Sequence, residues 1–283
     1  MASFNTQNSG EIGEGSLTFE FISDLVSATL GTVTGEDTNG KEYKSIREMW
    51  DFELNLSNEQ AQQTWYKDGL DYWEDAEKCD ISDDGVLQGY GKLTPTDTVG
   101  SNLFLDTVLG IRPEMKLDVA ADGGAGIGRV TKHFLMTRFQ KVHLVEVSPR
   151  LLASAPEYIG LEHKDRMEFI VQGLQDFAPA PNTYDCIWTQ WVIGHLHDID
   201  FVRFLRRCAA GLRPGGVIVL KDNCIDVITT TFMVDKDDSS INRHIEYIRI
   251  LVRLAGLNIV HEQRQKDFPE ELFPVVMMAL SVD

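Results

Sequence analysis

The sequence Leu117-Asp118-Val119-Ala120-Ala121-Asp122-Gly123-Gly124-Ala125-Gly126-Ile127-Gly128-Arg129 joins a short apolar run to a glycine-rich turn. The apolar run predicts a strand, and the residues after the turn predict a helix. Glycines at such a junction let the backbone approach a nucleotide-type cofactor, and the carboxyl edge of the sheet supplies the crevice. Dehydrogenases, methyltransferases and purely structural turns share this composition, so the turn alone does not identify a ligand.

Apolar runs and helical patterns alternate along the chain from Met115 onward. The predicted strands lie near residues 116–121, 142–147, 167–172, 184–190 and 217–222. The predicted helices lie near residues 129–139, 149–158, 198–210 and 240–255. This alternation predicts an α/β fold built from βαβ units around a mostly parallel sheet. Residues 257–264 and 273–282 are separated only by a loop, which predicts that the sheet finishes with an antiparallel hairpin.

The N-terminal part of the chain differs in composition from the rest. Up to about residue 40 it is rich in Ser, Thr, Gly, Asn and acidic residues, a composition typical of weakly ordered segments. We predict that residues 1–56 form a partly flexible extension, with a short helix over the apolar run Leu17 to Val26. The segment Ser57 to Gln60 has the spacing of a capping box. The main domain is therefore predicted to span residues 57–283.

The net charge of −18 restricts the partners of this chain. An acidic surface repels phosphate backbones, so we expect no nucleic acid and a basic or neutral partner. No apolar run approaches the roughly 20 residues of a membrane-spanning helix, and no signal-peptide pattern is present, so we expect a protein of the cytoplasm and/or nucleus without a membrane partner. The four cysteines are widely spaced, which predicts neither disulfides nor a metal site. We also expect a monomer.

Segments after the glycine-rich turn follow an order typical of one cofactor class. Glu146 ends an apolar run, where its carboxylate can accept hydrogen bonds from ribose hydroxyls, as in both NAD and S-adenosylmethionine sites. Further on come Gly173-Leu174-Gln175-Asp176-Phe177, Tyr184-Asp185-Cys186-Ile187-Trp188 and Leu212-Arg213-Pro214-Gly215-Gly216. This order resembles the Rossmann-like core of class I methyltransferases, which use S-adenosylmethionine.

The resemblance extends to one methyltransferase family. Its motifs here are Gly124-Ala125-Gly126-Ile127-Gly128-Arg129, Gly173-Leu174-Gln175-Asp176-Phe177, Gln190-Trp191-Val192-Ile193-Gly194-His195-Leu196, Phe204-Leu205-Arg206-Arg207-Cys208 and Lys221-Asp222-Asn223. Together they resemble the protein N-terminal Xaa-Pro-Lys methyltransferases, beginning near Trp65 and covering about three quarters of the chain. The resemblance implies a methyltransferase domain over residues 57–283 that modifies the free α-amine of Xaa-Pro-Lys or Xaa-Pro-Arg N-termini.

The resemblance also implies roles for residues at matching positions. Residues expected to bind S-adenosylmethionine, which leaves as S-adenosylhomocysteine, are Trp73, Gly124, Gly126, Arg129, Glu146, Gly173, Leu174, Gln175 and Gln190. Residues expected to bind the substrate N-terminus are Trp191, Asn223, Asp235, Asp238 and Ser240. Asp238 and His195 are the candidates for proton removal, and no metal is implied.

The acidic segment from Asp235 to Asp238 suits the implied reaction. Methyl transfer needs a neutral amine held about 3 Å from the methyl group. A free α-amine has a pKa of about 7.7–8.0, so a minority is neutral at physiological pH, whereas a lysine with a pKa of about 10.4 stays charged. By resemblance, Asp235 and Asp238 pair with a third-position Lys or Arg of the substrate. Trp191 packs against its proline, and Asn223 binds its first residue.

Several of these residues have a structural alternative. Asp238 or the serines after it could cap a helix over residues 240–255. His195 and Trp191 could be packing residues near a strand end, and Tyr72-Trp73 could be a helix-packing pair. Two other functions stay open, which are a small-molecule amine methyltransferase on the same fold and a non-catalytic protein-binding scaffold. A dehydrogenase is the weakest alternative, because Lys221-Asp222-Asn223 has no evident task in one.

Overall fold

A computed structural model describes residues 14–31, 33–56, 59–227 and 230–283. Its strands are β1 (Gly35–Asp37), β2 (Glu42–Tyr43), β3 (Val119–Gly123), β4 (Lys141–Glu146), β5 (Met167–Val171), β6 (Tyr184–Gln190), β7 (Leu212–Ile225), β8 (Phe232–Asp235), β9 (Ser240–His244), β10 (Asn258–Arg264) and β11 (Val275–Ser281). Its α-helices are α1 (Phe19–Leu30), α2 (Ile46–Leu54), α3 (Glu59–Glu74), α4 (Asp83–Val86), α5 (Thr94–Ile111), α6 (Met136–Arg138), α7 (Pro149–Ile159), α8 (Asp198–Gly211) and α9 (Ile245–Leu254).

Tighter and wider helical turns complete these elements. The 3₁₀ turns are Glu14–Ser16, Gly91–Leu93, Leu161–Arg166 and Ile193–His195, and Thr131–Leu135 is a π-helical turn that leads into α6. Within the described ranges, no helix combines the length and apolar character needed to cross a bilayer.

The sheet has a parallel centre and antiparallel additions. Strands β5, β4, β3, β6 and β7 lie side by side and are parallel. Beyond β7, β11 pairs antiparallel with residues 218–223, and β10 pairs antiparallel with β11. The predicted α/β fold with a mostly parallel sheet and an antiparallel C-terminal hairpin is therefore confirmed. The strand predicted near 217–222 is longer than expected, because β7 continues to pair with β9 through Cys224 and Ile225.

Alternating side chains of the central strands fill two separate apolar layers. Ile187 and Ile218 belong to one core cluster, and their neighbours Trp188 and Val219 belong to the other. Successive side chains of a strand point to opposite faces, so a sheet covered by helices on both faces needs nearly continuous apolar strands. Every residue of β6 is buried, as this arrangement requires.

The helix predicted over residues 240–255 is wrong in its first five residues. Ser240–His244 forms β9, which pairs antiparallel with β8, and α9 begins at Ile245 with His244 as its N-cap. Burial alternates along β9, with Ile241 and Arg243 inside, which is the two-residue period of a strand. The proposed N-cap role of Asp238 and the following serines is therefore also wrong.

The described part of the N-terminal segment packs against the main core. The apolar run Leu17 to Val26 contributes to α1, and Ile22 and Val26 are fully buried in the same cluster as strand β6 residues. Strand β1 joins the sheet through parallel pairing with β8. Ser57 and Asn58 of the predicted capping box lie outside the described residues, and α3 runs from Glu59. Whether the domain as a folding unit begins at residue 57 stays a prediction.

A buried carboxylate, Asp198, joins the N-terminal segment to the sheet. Its Oδ1 accepts a hydrogen bond from Arg243 Nε at 3.0 Å and forms an ion pair with Arg243 Nη2 at 2.9 Å. Its Oδ2 accepts from Trp50 Nε1 at 2.7 Å and from the Tyr247 hydroxyl. The side chains of Asp198 and Arg243 are 0% and 2% exposed. Four elements, α2, α8, β9 and α9, therefore depend on one ion pair that water does not reach.

We predict that Asp198→Asn lowers the free energy of unfolding by about 3–5 kcal/mol, because it leaves a buried guanidinium without its carboxylate. Urea denaturation followed by tryptophan fluorescence measures this loss. The matched control is Asp118→Asn, whose ion pair with Arg213 lies at the surface and contributes at most about 1 kcal/mol. Similar losses in the two variants would contradict the prediction.

Candidate active site

The glycine-rich turn requires glycine at three of its positions. Gly124, Gly126 and Gly128 have φ values of 73°, 55° and 82°, in the left-handed region that other residues rarely adopt. A Cβ at Gly124 would lie 2.4 Å from Val192 Cγ2, and one at Gly128 would lie 2.6 Å from Ile159 Cδ1. The turn therefore brings the backbone close to its neighbours and opens beside Gly126.

A cleft of about 1020 Å³ lies over this turn at the carboxyl ends of the parallel strands. All nine residues expected to bind the cofactor line it, namely Trp73, Gly124, Gly126, Arg129, Glu146, Gly173, Leu174, Gln175 and Gln190. The structure thus brings together residues from four strand ends and from helix α3. Their individual roles stay predictions.

Glu146 lies at the end of β4 on the floor of the cleft. Its Oε2 accepts a hydrogen bond from the Gly126 N–H at 2.8 Å, and its Oε1 accepts from the Ser148 N–H at 2.8 Å. Burial raises the pKa of this carboxyl, although these backbone bonds oppose the rise. Each oxygen keeps a second lone pair for a hydroxyl donor, so the residue suits a ribose diol.

Arg207 of α8 hydrogen-bonds to the loop after β5. Its guanidinium donates to the carbonyl oxygens of Leu174 at 3.0 Å, Gln175 at 2.8 Å and Phe177 at 2.7 Å. One planar side chain therefore binds three carbonyl groups of a single backbone turn beside the cleft. Arg207 belongs to a motif that the sequence analysis singled out, but its partners were not predictable.

A buried carboxylate positions two polar side chains of the cleft. Asp97 Oδ2 accepts from Arg129 Nη1 at 2.8 Å, and Gln190 Nε2 donates to Asp97 at 2.8 Å. Lys221 Nζ lies 2.5 Å from Asp97 Oδ1 and also donates to Ser101 and Gln265. Burial alone would raise the pKa of Asp97, but the two cations beside it keep that pKa below its usual value. The cluster joins α5 to β6, β7 and the helix after the glycine turn.

A second cavity of about 1010 Å³ adjoins the cleft. Its lining includes all five residues expected to bind the substrate, namely Trp191, Asn223, Asp235, Asp238 and Ser240. Trp73, Trp191 and His195 line both spaces. The two cavities therefore meet at an aromatic wall, with the glycine turn on one side and carboxylates on the other.

Trp191 stands at the junction in a conformation that is rare for its residue type. Its φ is 52°, and such backbone strain recurs at functional sites. Its indole N–H donates to Asn223 Oδ1 at 3.1 Å. Phe268 stacks on one side of the ring with centroids 6.3 Å apart, and the Arg129 guanidinium lies 5.3 Å from the ring centre. These contacts fix the ring as part of the cavity wall and not of the apolar core.

The contacts of His195 determine which ring nitrogen carries the proton. Nδ1 lies 3.2 Å from the Ser239 carbonyl oxygen, which can only accept, so Nδ1 carries the hydrogen. Nε2 accepts from the Trp73 indole N–H at 3.2 Å. The lone pair of Nε2 is therefore engaged, and His195 ties the turn after β8 to helix α3.

The turn between β8 and β9 carries the acidic residues of the second cavity. Asp235 Oδ1 accepts from the Asp237 N–H at 2.9 Å. Burial, opposed by that bond and reinforced by the charges of Asp238 and Asp237, raises the pKa of Asp235. Asp238 is 7% exposed, and its Oδ1 is buried without a hydrogen-bond partner within the described part of the chain. A buried carboxylate oxygen in this state needs a donor that this turn does not supply.

The sequence analysis missed several residues that shape the site. Asp97 and Gln265 belong to the buried cluster, and Phe268, from the loop before β11, packs on Trp191. Lys221 belongs to a motif that the sequence analysis quoted, but its partners were not predicted. A signal for Asp97 existed, because Asp97, Ser101 and Phe104 recur at helical spacing on one buried face of α5. A charged residue on such a face needs a buried partner. Nothing local marks Phe268, whose contact with Trp191 spans distant parts of the chain.

A family model described as AdoMet dependent proline di-methyltransferase matches residues 61–281. The chain belongs to this family. A protein of Arabidopsis thaliana named alpha N-terminal protein methyltransferase 1 is 42% identical over 259 residues, covering 89% of this chain and 92% of that protein. A protein of Danio rerio named N-terminal Xaa-Pro-Lys N-methyltransferase 1 is 44% identical, covering 77% of this chain and 96% of its own length.

A solved structure extends the comparison to the fold. A SAM-dependent methyltransferase from Leishmania major superposes with a TM-score of 0.78 at 35% identity, covering 88% of this chain and 96% of that one. The protein is thus an S-adenosylmethionine-dependent methyltransferase of the class I fold.

The cleft of this methyltransferase suits the cofactor of its family. It is concave and combines apolar side chains with a few polar groups, as small-molecule sites do. Glycines that no larger residue could replace line one side, and Glu146 supplies acceptors for hydroxyl groups. Arg129, which is paired with Asp97, is a cation in the lining of the cleft. No group of His, Cys, Asp or Glu able to hold a metal ion occurs among the residues that the structure describes.

Asp122 at the end of β3 makes the stability of this methyltransferase depend on pH. Burial, opposed by hydrogen bonds from the Thr131 N–H and hydroxyl to Oδ2, raises the pKa of Asp122 to about 6. This folded-state pKa exceeds the unfolded value of about 3.8. The unfolded state therefore binds fewer protons between these values, so the contribution of Asp122 to stability is lost as the pH rises through about 6.

We predict that Asp122→Asn becomes more stable relative to the parent protein between pH 5 and pH 8, because the amide keeps both Thr131 bonds and does not ionise. About one pKa unit lies between pH 5 and the folded-state pKa of about 6, so the expected difference is about 1.4 kcal/mol. Melting temperatures of both proteins at the two pH values measure the difference.

The control for this prediction is Asp222→Asn, another buried carboxyl whose pKa burial raises to about 6. Both of its oxygens accept backbone N–H groups, from Val192 and Ile193 on one side and Asn223 on the other. The amide would place its own N–H against one of them, so this variant should lose stability at both pH values. A pH-independent difference for Asp122→Asn would show that its carboxyl ionises normally.

Proposed function

We propose that this methyltransferase modifies the free α-amine of protein N-termini that begin Xaa-Pro-Lys or Xaa-Pro-Arg. The observation that carries the proposal is the junction at Trp73, Trp191 and His195, where the glycine-turn cleft meets an acidic cavity. The relatives support it, because the Danio rerio protein is named for Xaa-Pro-Lys N-termini and the family description names proline. We place the enzyme in the cytoplasm and/or nucleus as a monomer. Its net charge of −18 favours basic protein tails over nucleic acid.

The acidic cavity suits a substrate with two amines of different basicity. Asp235 and Asp238 provide negative charge from one hairpin turn. A third-position lysine with a pKa of about 10.4 keeps its charge and pairs with them, while the α-amine with a pKa of about 7.7–8.0 loses its proton readily. One amine is therefore held as a cation, and the other is available as a nucleophile. S-adenosylmethionine, when bound in the adjoining cleft, supplies the methyl group.

Asp238 is the group best placed to receive the α-amine proton. Its Oδ1 is buried and has no partner within the described residues, so an amine N–H would satisfy it. His195 can accept a proton at Nε2 only if its hydrogen bond with Trp73 breaks. We therefore assign proton removal to Asp238. We assign to His195 the positioning of the turn that carries Asp238, through the Ser239 carbonyl.

Trp191 and Asn223 together suit the first two residues of the substrate. The Trp191 ring presents an apolar face beside Phe268, which matches a proline ring. Because Asn223 Oδ1 already accepts from the Trp191 indole, its amide N–H groups are the ones that face a substrate carbonyl. Ser240 lines the same cavity and pairs with Asp235 through the backbone. The substrate's second residue, proline, would thus be selected by its shape. Its third residue, Lys or Arg, would be selected by its charge.

Mass spectrometry of a Ser-Pro-Lys-initiated hexapeptide, incubated with enzyme and S-adenosylmethionine, tests the proposal. We expect mass gains of whole methyl groups on the free peptide and none on its N-acetylated control. Modification of the acetylated peptide would move the reaction to a side chain. No gain on either peptide, with S-adenosylmethionine still bound, would favour a small-molecule amine as the substrate.

We predict that Asp238→Asn lowers kcat about 10²–10⁴-fold, the usual effect of removing a general base, while the Kd for S-adenosylmethionine changes little. The reason is that Asp238 lines the acidic cavity and not the cofactor cleft. Steady-state kinetics and calorimetry measure the two quantities. The matched control is Asp237→Asn, which neutralises an exposed carboxylate of the same turn. Equal losses of turnover and cofactor affinity would make Asp238 a structural residue.

A further inference from the structure

The substrate hairpin, β8 and β9 with their connecting turn (residues 232–244), is braced by part of the N-terminal segment. Strand β1 pairs in parallel with β8, matching Gly35 with Phe232 and Asp37 with Val234. The contact continues into the turn, where the Thr38 N–H donates to the Val234 carbonyl at 2.9 Å and the Lys236 N–H donates to Thr38 Oγ1 at 3.0 Å. Residues 35–54 lie outside the 61–281 range of the family match.

The same part of the N-terminal segment also binds Lys236, the basic residue of the turn. Lys236 lies directly after Asp235 and two residues before Asp238. Its ammonium pairs with Glu53 Oε2, from the end of α2. The Glu53 side chain is only 2% exposed, and its Oε1 accepts from the Tyr43 hydroxyl at 2.6 Å. Glu53 is therefore a fixed, buried carboxylate that holds Lys236 on the side of the N-terminal segment.

The position of Lys236 matters because it carries the same group as the substrate's third residue. Lysine is a charge on a flexible four-carbon stem. If released, the Lys236 ammonium could pair with Asp235 or Asp238 as an intramolecular competitor, at an effective concentration far above that of a peptide. The burial of Asp235 and the neighbouring carboxylates make such neutralisation favourable. Something must therefore keep this lysine away from the cavity.

We propose that Glu53 is a specificity-positioning residue, which holds Lys236 away from Asp235 and Asp238 and so reserves these carboxylates for the substrate's Lys or Arg. This inference rests on the proposed function. It assigns to the N-terminal segment a part in substrate selection, through one ion pair and the β1–β8 contact. Residues 35–54 thereby contribute to the active site, although none of them lines either cavity.

Glu53→Gln tests this role, because Gln keeps the acceptor for Tyr43 but removes the charge that binds Lys236. We expect KM for the Ser-Pro-Lys peptide to rise about tenfold with little change in kcat. KM for a Ser-Pro-Gln peptide, which offers no cation, should stay unchanged, as should the Kd for S-adenosylmethionine. A variant that raises KM for both peptides equally would show that Glu53 only supports the fold and would overturn the inference.

The double variant Glu53→Gln with Lys236→Met tests whether removing the lysine restores KM. It removes the competing cation together with its partner, so KM for the Ser-Pro-Lys peptide should return to within about twofold of the parent value. A double variant as impaired as Glu53→Gln alone would overturn the competition that we infer. An unchanged KM in Glu53→Gln would also overturn this inference, but it would leave the proposed function intact. No activity of the parent protein on Ser-Pro-Lys peptides would overturn both.

Discussion

The buried ion cluster around Asp97 is the constraint on which the active site depends. One carboxylate, 3% exposed, receives Arg129 from the helix after the glycine turn, Gln190 from β6 and Lys221 from β7. Taking such charges out of water is unfavourable unless each is paired, so α5 can lie in only one place over the carboxyl ends of the strands. The side chains of Arg129 and Gln190 then reach the cleft from fixed positions. Loss of Asp97 would leave two buried cations and would disorder one wall of the cofactor site.

The charged side chains of the site are distributed between two adjoining cavities. The cofactor cleft combines a cation, Arg129, with the hydrogen-bonded carboxylate of Glu146, whereas the second cavity collects Asp222, Asp235 and Asp238. Trp73, Trp191 and His195 line both spaces and form the boundary between them. Under the proposed function, the acidic cavity holds one amine through its charge while the other amine, without its charge, is methylated. Positioning, and not a strong base, carries most of such a reaction.

The N-terminal segment changes the shape of the sheet at the substrate side. In the core order β5-β4-β3-β6-β7, the sheet would reach the substrate hairpin only through the short pairing of β7 with β9. Strand β1 pairs with β8, β2 pairs with β1, and Asp198 joins Trp50 of α2 to Arg243 of the hairpin and Tyr247 of α9. The hairpin is therefore supported on both edges. Its turn, which carries Asp235 and Asp238, is consequently held by Thr38, which lies 198 residues before Lys236 in the chain.

The sequence by itself determined the α/β fold, the glycine turn and the family, because strand and helix periods, turn glycines and contiguous motifs are local properties of the chain. It also named nine of the residues that line the cofactor cleft and five that line the second cavity. It misplaced the start of α9, since the alternation in Ser240–His244 is short and merges with the strong helical pattern after it. Only the tertiary structure decided the partners of Asp97, the tautomer of His195 and the pairing of Lys236 with Glu53. These depend on side chains far apart in the chain, and their geometry is set by packing, which no local pattern encodes.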